Sequence, residues 1–195
     1  SYVYSELEDH WKSHYSRSIE NQLDVVHLPF VHDTTIGRGN KTVVNGPKVI
    51  FEDGVLVTSA NNEVDTGQKP KTADESVIKS TNLSFIFPNI WMNHISDKIK
   101  VIIFFAPVDD ENTILFIRLY NKITGSKLIN RINAFFGKYA NLIIERQDRR
   151  VVETQRPKAS SLKGGEKLFP GDGPIIMYRR LREELKNKSE ESKTR

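Results

Sequence analysis

The sequence predicts an α+β domain in which a twisted antiparallel sheet grips a long helix near the C-terminal end. Three observations carry this. Several runs rich in Ile, Phe and β-branched residues follow one another across short polar turns, at Asn82 to Phe87, Lys100 to Phe105 and Thr113 to Tyr120. The period then changes to that of a helix, with Leu128, Ile132, Phe135, Phe136, Tyr139, Leu142, Ile143, Val151 and Val152 forming an apolar stripe between Lys127 and about Gln155. At 195 residues with 37% hydrophobic and 28% charged side chains, the chain has the make-up of one ordinary globular domain.

Taken in order, apolar residues from Leu7 to Val26 recur at irregular helical spacing, and Ser18 is available as an N-cap before Ile19. A short helix is expected to end near Leu28, because Pro29 disfavours helical backbone at the residue before it. Thr34 to Asn45, rich in Gly, Asn and Thr, reads as a long loop; its Gly37-Arg38-Gly39 lacks the third glycine and preceding strand of a dinucleotide fingerprint. Strands at Lys48 to Phe51 and Val55 to Ser59 flank Asp53-Gly54, the strongest hairpin signal in the chain. Residues 60–78 are polar and read as a surface excursion. After the long helix, stopped by Pro157, a Gly/Pro/Ser-rich connector leads to a last amphipathic helix over Ile175 to Asn187 and a charged, frayed tail.

Composition excludes several functions. With no cysteine, the chain forms no disulfide, thiolate zinc site, cysteine nucleophile or iron–sulfur cluster of its own. The net charge of +4 is mild, and residues 179–195 hold seven basic against four acidic side chains, so a nucleic-acid role ranks last. No run approaches the ~18 apolar residues of a membrane span, and the first residues lack a signal-peptide pattern, which suggests a cytoplasmic protein.

The densest chemistry lies in Glu20-Asn21-Gln22-Leu23-Asp24-Val25-Val26-His27-Leu28-Pro29-Phe30-Val31-His32-Asp33. In an unbroken helix, residues five apart diverge by roughly 140° and would not share an ion. Pro29 lets the chain turn and bring His32 back towards His27. Asp24, three residues before His27, is placed to reach its other ring nitrogen, as partners of metal-ligating histidines do. Much later, Asp148 shares its helix face with Ile144, Val151, Val152 and Gln155, where a lone acid is costly unless paired or bound to a metal. Glu145 and Glu153 are its rivals.

These residues resemble the catalytic domain of Rieske non-haem iron oxygenases, the aromatic-ring-hydroxylating and demethylase-type alpha subunits and the similar chlorophyll-type oxygenases. The resemblance rests on Glu20-Asn21-x2-Asp24-x2-His27-x4-His32 and on Gln147-Asp148-Arg149-Arg150-Val151-Val152-Glu153, and covers about residues 15–155, leaving 156–195 as connector and helix. It implies a helix-grip catalytic domain of the START/Bet v 1 type and a mononuclear Fe(II) held by His27, His32 and Asp148. It further implies Asp24 as an electron-transfer bridge to a neighbouring subunit's cluster and Asn21 as a polar group near the open iron position.

By the same resemblance, the [2Fe-2S] Rieske cluster belongs to an N-terminal domain that this cysteine-free chain lacks, so Ser1 is expected to lie inside a longer parent. Electrons would come from NAD(P)H through a reductase or ferredoxin, the complete protein would be a homotrimer, and the isolated domain could be a monomer. O2 would be used to hydroxylate or oxidatively demethylate an aromatic or cyclic substrate. Phe85, Phe87, Trp91, Phe104 and Phe116 on strand-like segments suggest a pocket wall, with Asn93 or His94 orienting a polar substituent. Two other classes remain open: a non-catalytic module binding an apolar ligand between sheet and helix, and a zinc hydrolase, which the absence of H-E-x-x-H disfavours.

Overall fold

The structure is a computed structural model and describes residues 1–193. A seven-stranded antiparallel sheet runs in the order β1-β9-β8-β7-β6-β4-β3, and a separate ribbon pairs β2 with β5. The strands are β1 (Val3–Trp11), β2 (Thr42–Asn45), β3 (Val49–Glu52), β4 (Val55–Ser59), β5 (Asn61–Val64), β6 (Asn82–Ile86), β7 (Ile90–Ser96), β8 (Ile99–Pro107) and β9 (Thr113–Asn121). The helices are α1 (Tyr15–Leu23), α2 (Leu28–Val31), α3 (Lys127–Val152) and α4 (Gly173–Lys193). The expected α+β class, with an antiparallel sheet gripping a long helix, is what the chain adopts. No helix of the described residues is long and apolar enough to cross a membrane.

The first segment departs from expectation. Val3 to Trp11 is an edge strand whose alternation is disguised, because the inward positions Ser5, Leu7, Asp9 and Trp11 include an acid. Asp9 tolerates burial by accepting from Trp11 Nε1 at 2.9 Å and from Arg149 at 2.7 Å. Ser18 lies inside α1; the N-cap is His14, whose Nδ1 accepts from the Ser16 amide at 3.2 Å. The helix stops at Leu23, well before Pro29, which instead sits in the first turn of α2, where a missing N–H costs nothing.

Strand β7 lies between the runs expected at Asn82 to Phe87 and Lys100 to Phe105, and both the Thr34–Asn45 segment and the 60–78 excursion contribute a strand to the β2–β5 ribbon. Asp53-Gly54 does close the β3–β4 hairpin, with φ of 50° and 79°. The final helix extends beyond Asn187 to Lys193, so the tail expected to fray is helical over its described residues.

The core cluster joins Trp11, Ile19 and Leu23 to inward residues of the sheet and to Tyr178 of α4. Helix α3 packs across β1 and β9, and α4 across β4. Most of the apolar stripe on α3 faces away from this core, since Leu128, Ile132, Phe135, Phe136, Tyr139 and Ile143 are each about half exposed or more, whereas Val152 at its C-terminal end joins the core. The buried face is Asn130, Ala134, Glu145, Asp148 and Val152. Close approach explains the choice. Ser5 Oγ donates to the Ala134 carbonyl at 2.7 Å, and a Cβ at Gly137 would stand 2.5 Å from the end of the Leu119 side chain, so the helix lies close against β1 and β9 around these positions.

Candidate functional site

The polar cluster of the sequence becomes two helices with a sharp link. Asp24 caps the C-terminus of α1, its N–H donating to the Glu20 carbonyl at 2.9 Å. The chain turns, His27 becomes the N-cap of α2, and His32 its C-cap. The two imidazoles therefore flank one turn of helix, with Nε2 atoms 3.2 Å apart. Asp148 arrives from α3 and sets Oδ1 3.3 Å from His27 Nε2 and 3.1 Å from His32 Nε2. One ligand atom from each of the three residues lies within 4.8 Å of the others.

Neighbouring groups fix the orientation of this trio. Gln147 Oε1 accepts from His32 Nδ1 at 2.8 Å and from Thr35 Oγ1 at 2.9 Å, while its Nε2 donates to Thr34 Oγ1 at 3.2 Å. With its proton on Nδ1, His32 turns a lone pair towards Asp148. Gln22 Nε2 donates to Asp148 Oδ2 at 3.3 Å and to Glu145 Oε2 at 3.2 Å. Asp24 Oδ1 accepts from the Val26 and His27 amides at 2.8 and 3.3 Å, and its Oδ2 stands 3.7 Å from His27 Nδ1.

The electrostatics ask for a cation. Asp148 Oδ1 is buried, is matched by no hydrogen bond of good geometry, and faces both Nε2 atoms. Burial pushes the Asp148 carboxyl up, but contact with the two imidazoles more than reverses this and holds it at about 2. Burial lowers His27, and Asp148 beside it outweighs that and raises it. Such a set, two imidazoles and one carboxylate on one side of a common point, suits Fe(II) with open positions. The residues present therefore fit the metal.

Of the rival acids, Glu145 is directed to Gln22 and Asn141, and burial with Asp148 nearby drives its carboxyl well above the usual range. Glu153 caps α3 and accepts from the Lys12 amide at 2.9 Å. Neither joins the imidazoles. Asn21 is buried on α1 with its amide nitrogen unpartnered.

A cavity of about 330 Å³ opens beside the trio, bounded by Asp24, His27, His32 and Asp148 on the helical side and by Trp91, Asn93 and His94 on the sheet. The irregular pairing between His94 and Ser96 explains why two consecutive residues, His94 and Ile95, both reach it. Phe85, Phe87, Phe104 and Phe116 do not line it. Strand parity decides two of these: Ile103, Phe105, Leu115 and Ile117 point into the core, so Phe104 and its cross-strand neighbour Phe116 face outward, Phe104 under the Arg118 guanidinium at 5.3 Å. Phe85 meets Tyr178 of α4 edge to face at 5.5 Å, and Phe87 stacks on it at 5.8 Å.

Sequence reasoning missed Gln22 and Gln147. Each immediately neighbours a residue of the motifs, Asn21 and Asp148, and an amide next to a candidate ligand was the available signal.

Residues 11–188 match the family model described as the vanillate O-demethylase oxygenase C-terminal domain. No curated protein matches the chain. Among solved structures, Pseudomonas putida CBB5 NdmA with caffeine shares 19% identity at a TM-score of 0.72, over 97% of this chain and 54% of that one. Dicamba monooxygenase bound to 3,6-dichlorosalicylic acid shares 14% at 0.66, over 96% and 60%. The quaternary ammonium Rieske monooxygenase CntA with L-carnitine shares 12% at 0.61, over 92% and 48%. The chain thus spans about half the length of the structures it matches, and at these identities the likeness is one of fold.

Proposed function

Because the chain belongs to the vanillate O-demethylase oxygenase C-terminal domain family, the catalytic domains of Rieske oxygenases, we propose that it is the oxygen-activating half of such an enzyme, hydroxylating or oxidatively demethylating a small cyclic substrate. The observation that carries this reading is the buried Asp148 Oδ1 set between two imidazole Nε2 atoms. A module that merely binds an apolar ligand has no use for two imidazoles and a buried carboxylate converging on one point.

His27, His32 and Asp148 hold the iron, and Asn21 lies on the adjoining helix as a polar group near it. Bound Fe(II) supplies reductive activation of O2, with electrons from NAD(P)H through a reductase or ferredoxin and a [2Fe-2S] cluster carried by another part of the complete, trimeric protein. Gln147 keeps the His32 proton on Nδ1, and Gln22 keeps Asp148 from swinging away. Asp24 stands between His27 and solvent, a quarter exposed, where a bridge for incoming electrons belongs. Trp91 and the apolar sheet residues keep the cavity dry around the substrate.

The test is anaerobic Fe(II) loading followed by metal analysis. About one iron per chain is expected, lost in His27→Ala and Asp148→Ala and kept in Glu145→Gln. A folded chain that takes no iron, or full iron in His27→Ala, overturns the reading.

A further inference from the structure

Helix α3 buries its polar side and exposes its apolar one. Asn130, Ala134, Glu145 and Asp148 turn inward, while Leu128, Ile132, Phe135, Phe136, Tyr139 and Ile143 stand outward, Leu128 and Phe136 at 68% and 66% exposure. At about 100° per residue the outward side chains fall within a sector of roughly 100°, so they form one ridge, roughly 22 Å long at 1.5 Å per residue. The Tyr139 hydroxyl is the only polar side-chain group on that ridge.

Charge along the ridge has one sign. Lys127, Arg131 and Lys138 follow one another along a single flank of the helix, and no salt bridge among the described residues engages any of them. The chain holds no Asp or Glu from Asn112 to Ile144. Lys138 Nζ lies 5.2 Å from the ring centroids of Phe135 and Tyr139, which sets a cation against the aromatic side chains of the ridge.

These features select one kind of surface. A protein partner makes about one hydrogen bond per 100–200 Å² of interface, and this ridge offers a single hydroxyl for that purpose. A second copy meeting the ridge through a two-fold axis would bring the same cationic flank with it. A bilayer surface needs neither hydrogen bonds nor a matching shape. A helix lying in it buries its apolar side by about 5–10 Å, and its flanking Lys and Arg reach the phosphates.

We propose that α3 is a membrane-surface helix: the ridge from Leu128 to Ile143 rests in the interface of an anionic lipid bilayer, with Lys127, Arg131 and Lys138 on lipid phosphates. The helix lies on the membrane and does not cross it. Iron at His27, His32 and Asp148 is not required, since the ridge ends before Asp148 on the same helix.

The experiment is co-sedimentation of the full chain with vesicles of phosphatidylcholine alone and of phosphatidylcholine mixed with phosphatidylglycerol. Binding to the anionic vesicles is expected, weakening as salt is added. Lys127→Gln, Arg131→Gln and Lys138→Gln together should reduce it about 100-fold. Phe135→Ser with Phe136→Ser should reduce it by more than about tenfold, with far-UV circular dichroism unchanged. Lys186→Gln with Lys188→Gln, exposed on α4, should leave it unaltered. Phe136→Trp, read against the buried Trp11 and Trp91, should shift its emission to the blue on anionic vesicles and be quenched by brominated lipid. No binding, equal binding to neutral vesicles, an equal loss in the α4 variant, or binding without the blue shift would each overturn the proposal. So would a vesicle-free dimer dispersed by the Phe135 and Phe136 substitutions in a chain that ignores vesicles, which would assign the ridge to a second copy.

Discussion

At the residue scale, the organising group is Gln147. A ligating histidine is useful only with the correct nitrogen protonated, and in His32 that choice rests on one amide oxygen 2.8 Å from Nδ1. Gln147→Leu should lower Co(II) affinity by about 10- to 100-fold, the usual cost of losing such a partner, while far-UV circular dichroism stays unchanged. Nitrogen chemical shifts of the His32 ring in the metal-free chain should show the two tautomers mixing. A single Nδ1–H tautomer retained in the variant would mean that something else fixes the ring. The histidines and Asp148 were legible because their spacing and misplaced polarity are written locally, whereas Gln147 becomes meaningful only when α3 is laid beside α2. The phenylalanines are ambiguous for a different reason: an aromatic residue on a strand can take either of two faces, and only the sheet's packing decides which.

At the scale of elements, α1 is held by a buried ionic network. Glu20 accepts from Arg179 at 2.7 and 2.9 Å and from Arg17 at 3.1 Å, and Glu166 of the connector pairs with both arginines at 2.6 Å. This ties α1, the connector and α4 into one unit behind the site. Removing one member of a buried group strands the others, so Arg179→Met should cost about 3–5 kcal/mol in urea denaturation. Glu6→Gln, which breaks the exposed Arg118 pair on β1, should leave the midpoint where it was. Strands with β-branched runs and the hairpin turn were legible in the sequence. Strand β1 was not, since its inward Asp9 needs Arg149 from α3 to make sense, and no local pattern announces a partner 140 residues away.

At the scale of the molecule, the pattern on α3 separates two meanings of an apolar stripe. The stripe was legible; its direction was not, because that follows from the close approach of the helix to β1 and β9 around Ala134 and Gly137. Phe135, Phe136 and Tyr139 form an outward aromatic cluster with ring centroids 5.4 and 5.5 Å apart. An apolar patch of this kind binds hydrophobic dyes and promotes association. Phe135→Lys combined with Phe136→Glu should reduce dye fluorescence and concentration-dependent light scattering without shifting the thermal midpoint; a large drop in that midpoint would show that the rings support the fold.

The same helix has a mechanical character. His32 meets consecutive residues of α3 at its two ring nitrogens, Gln147 holding Nδ1 and Asp148 standing 3.1 Å from Nε2. A small slide of α3 along its axis carries both contacts in the same direction, and the ring can follow. A twist about the axis draws one contact away as it presses the other in, for the two side chains point roughly 100° apart. Because both residues sit on one helix, the placement of the His32 ring is tied to the rotation of α3 as well as to its position along the axis.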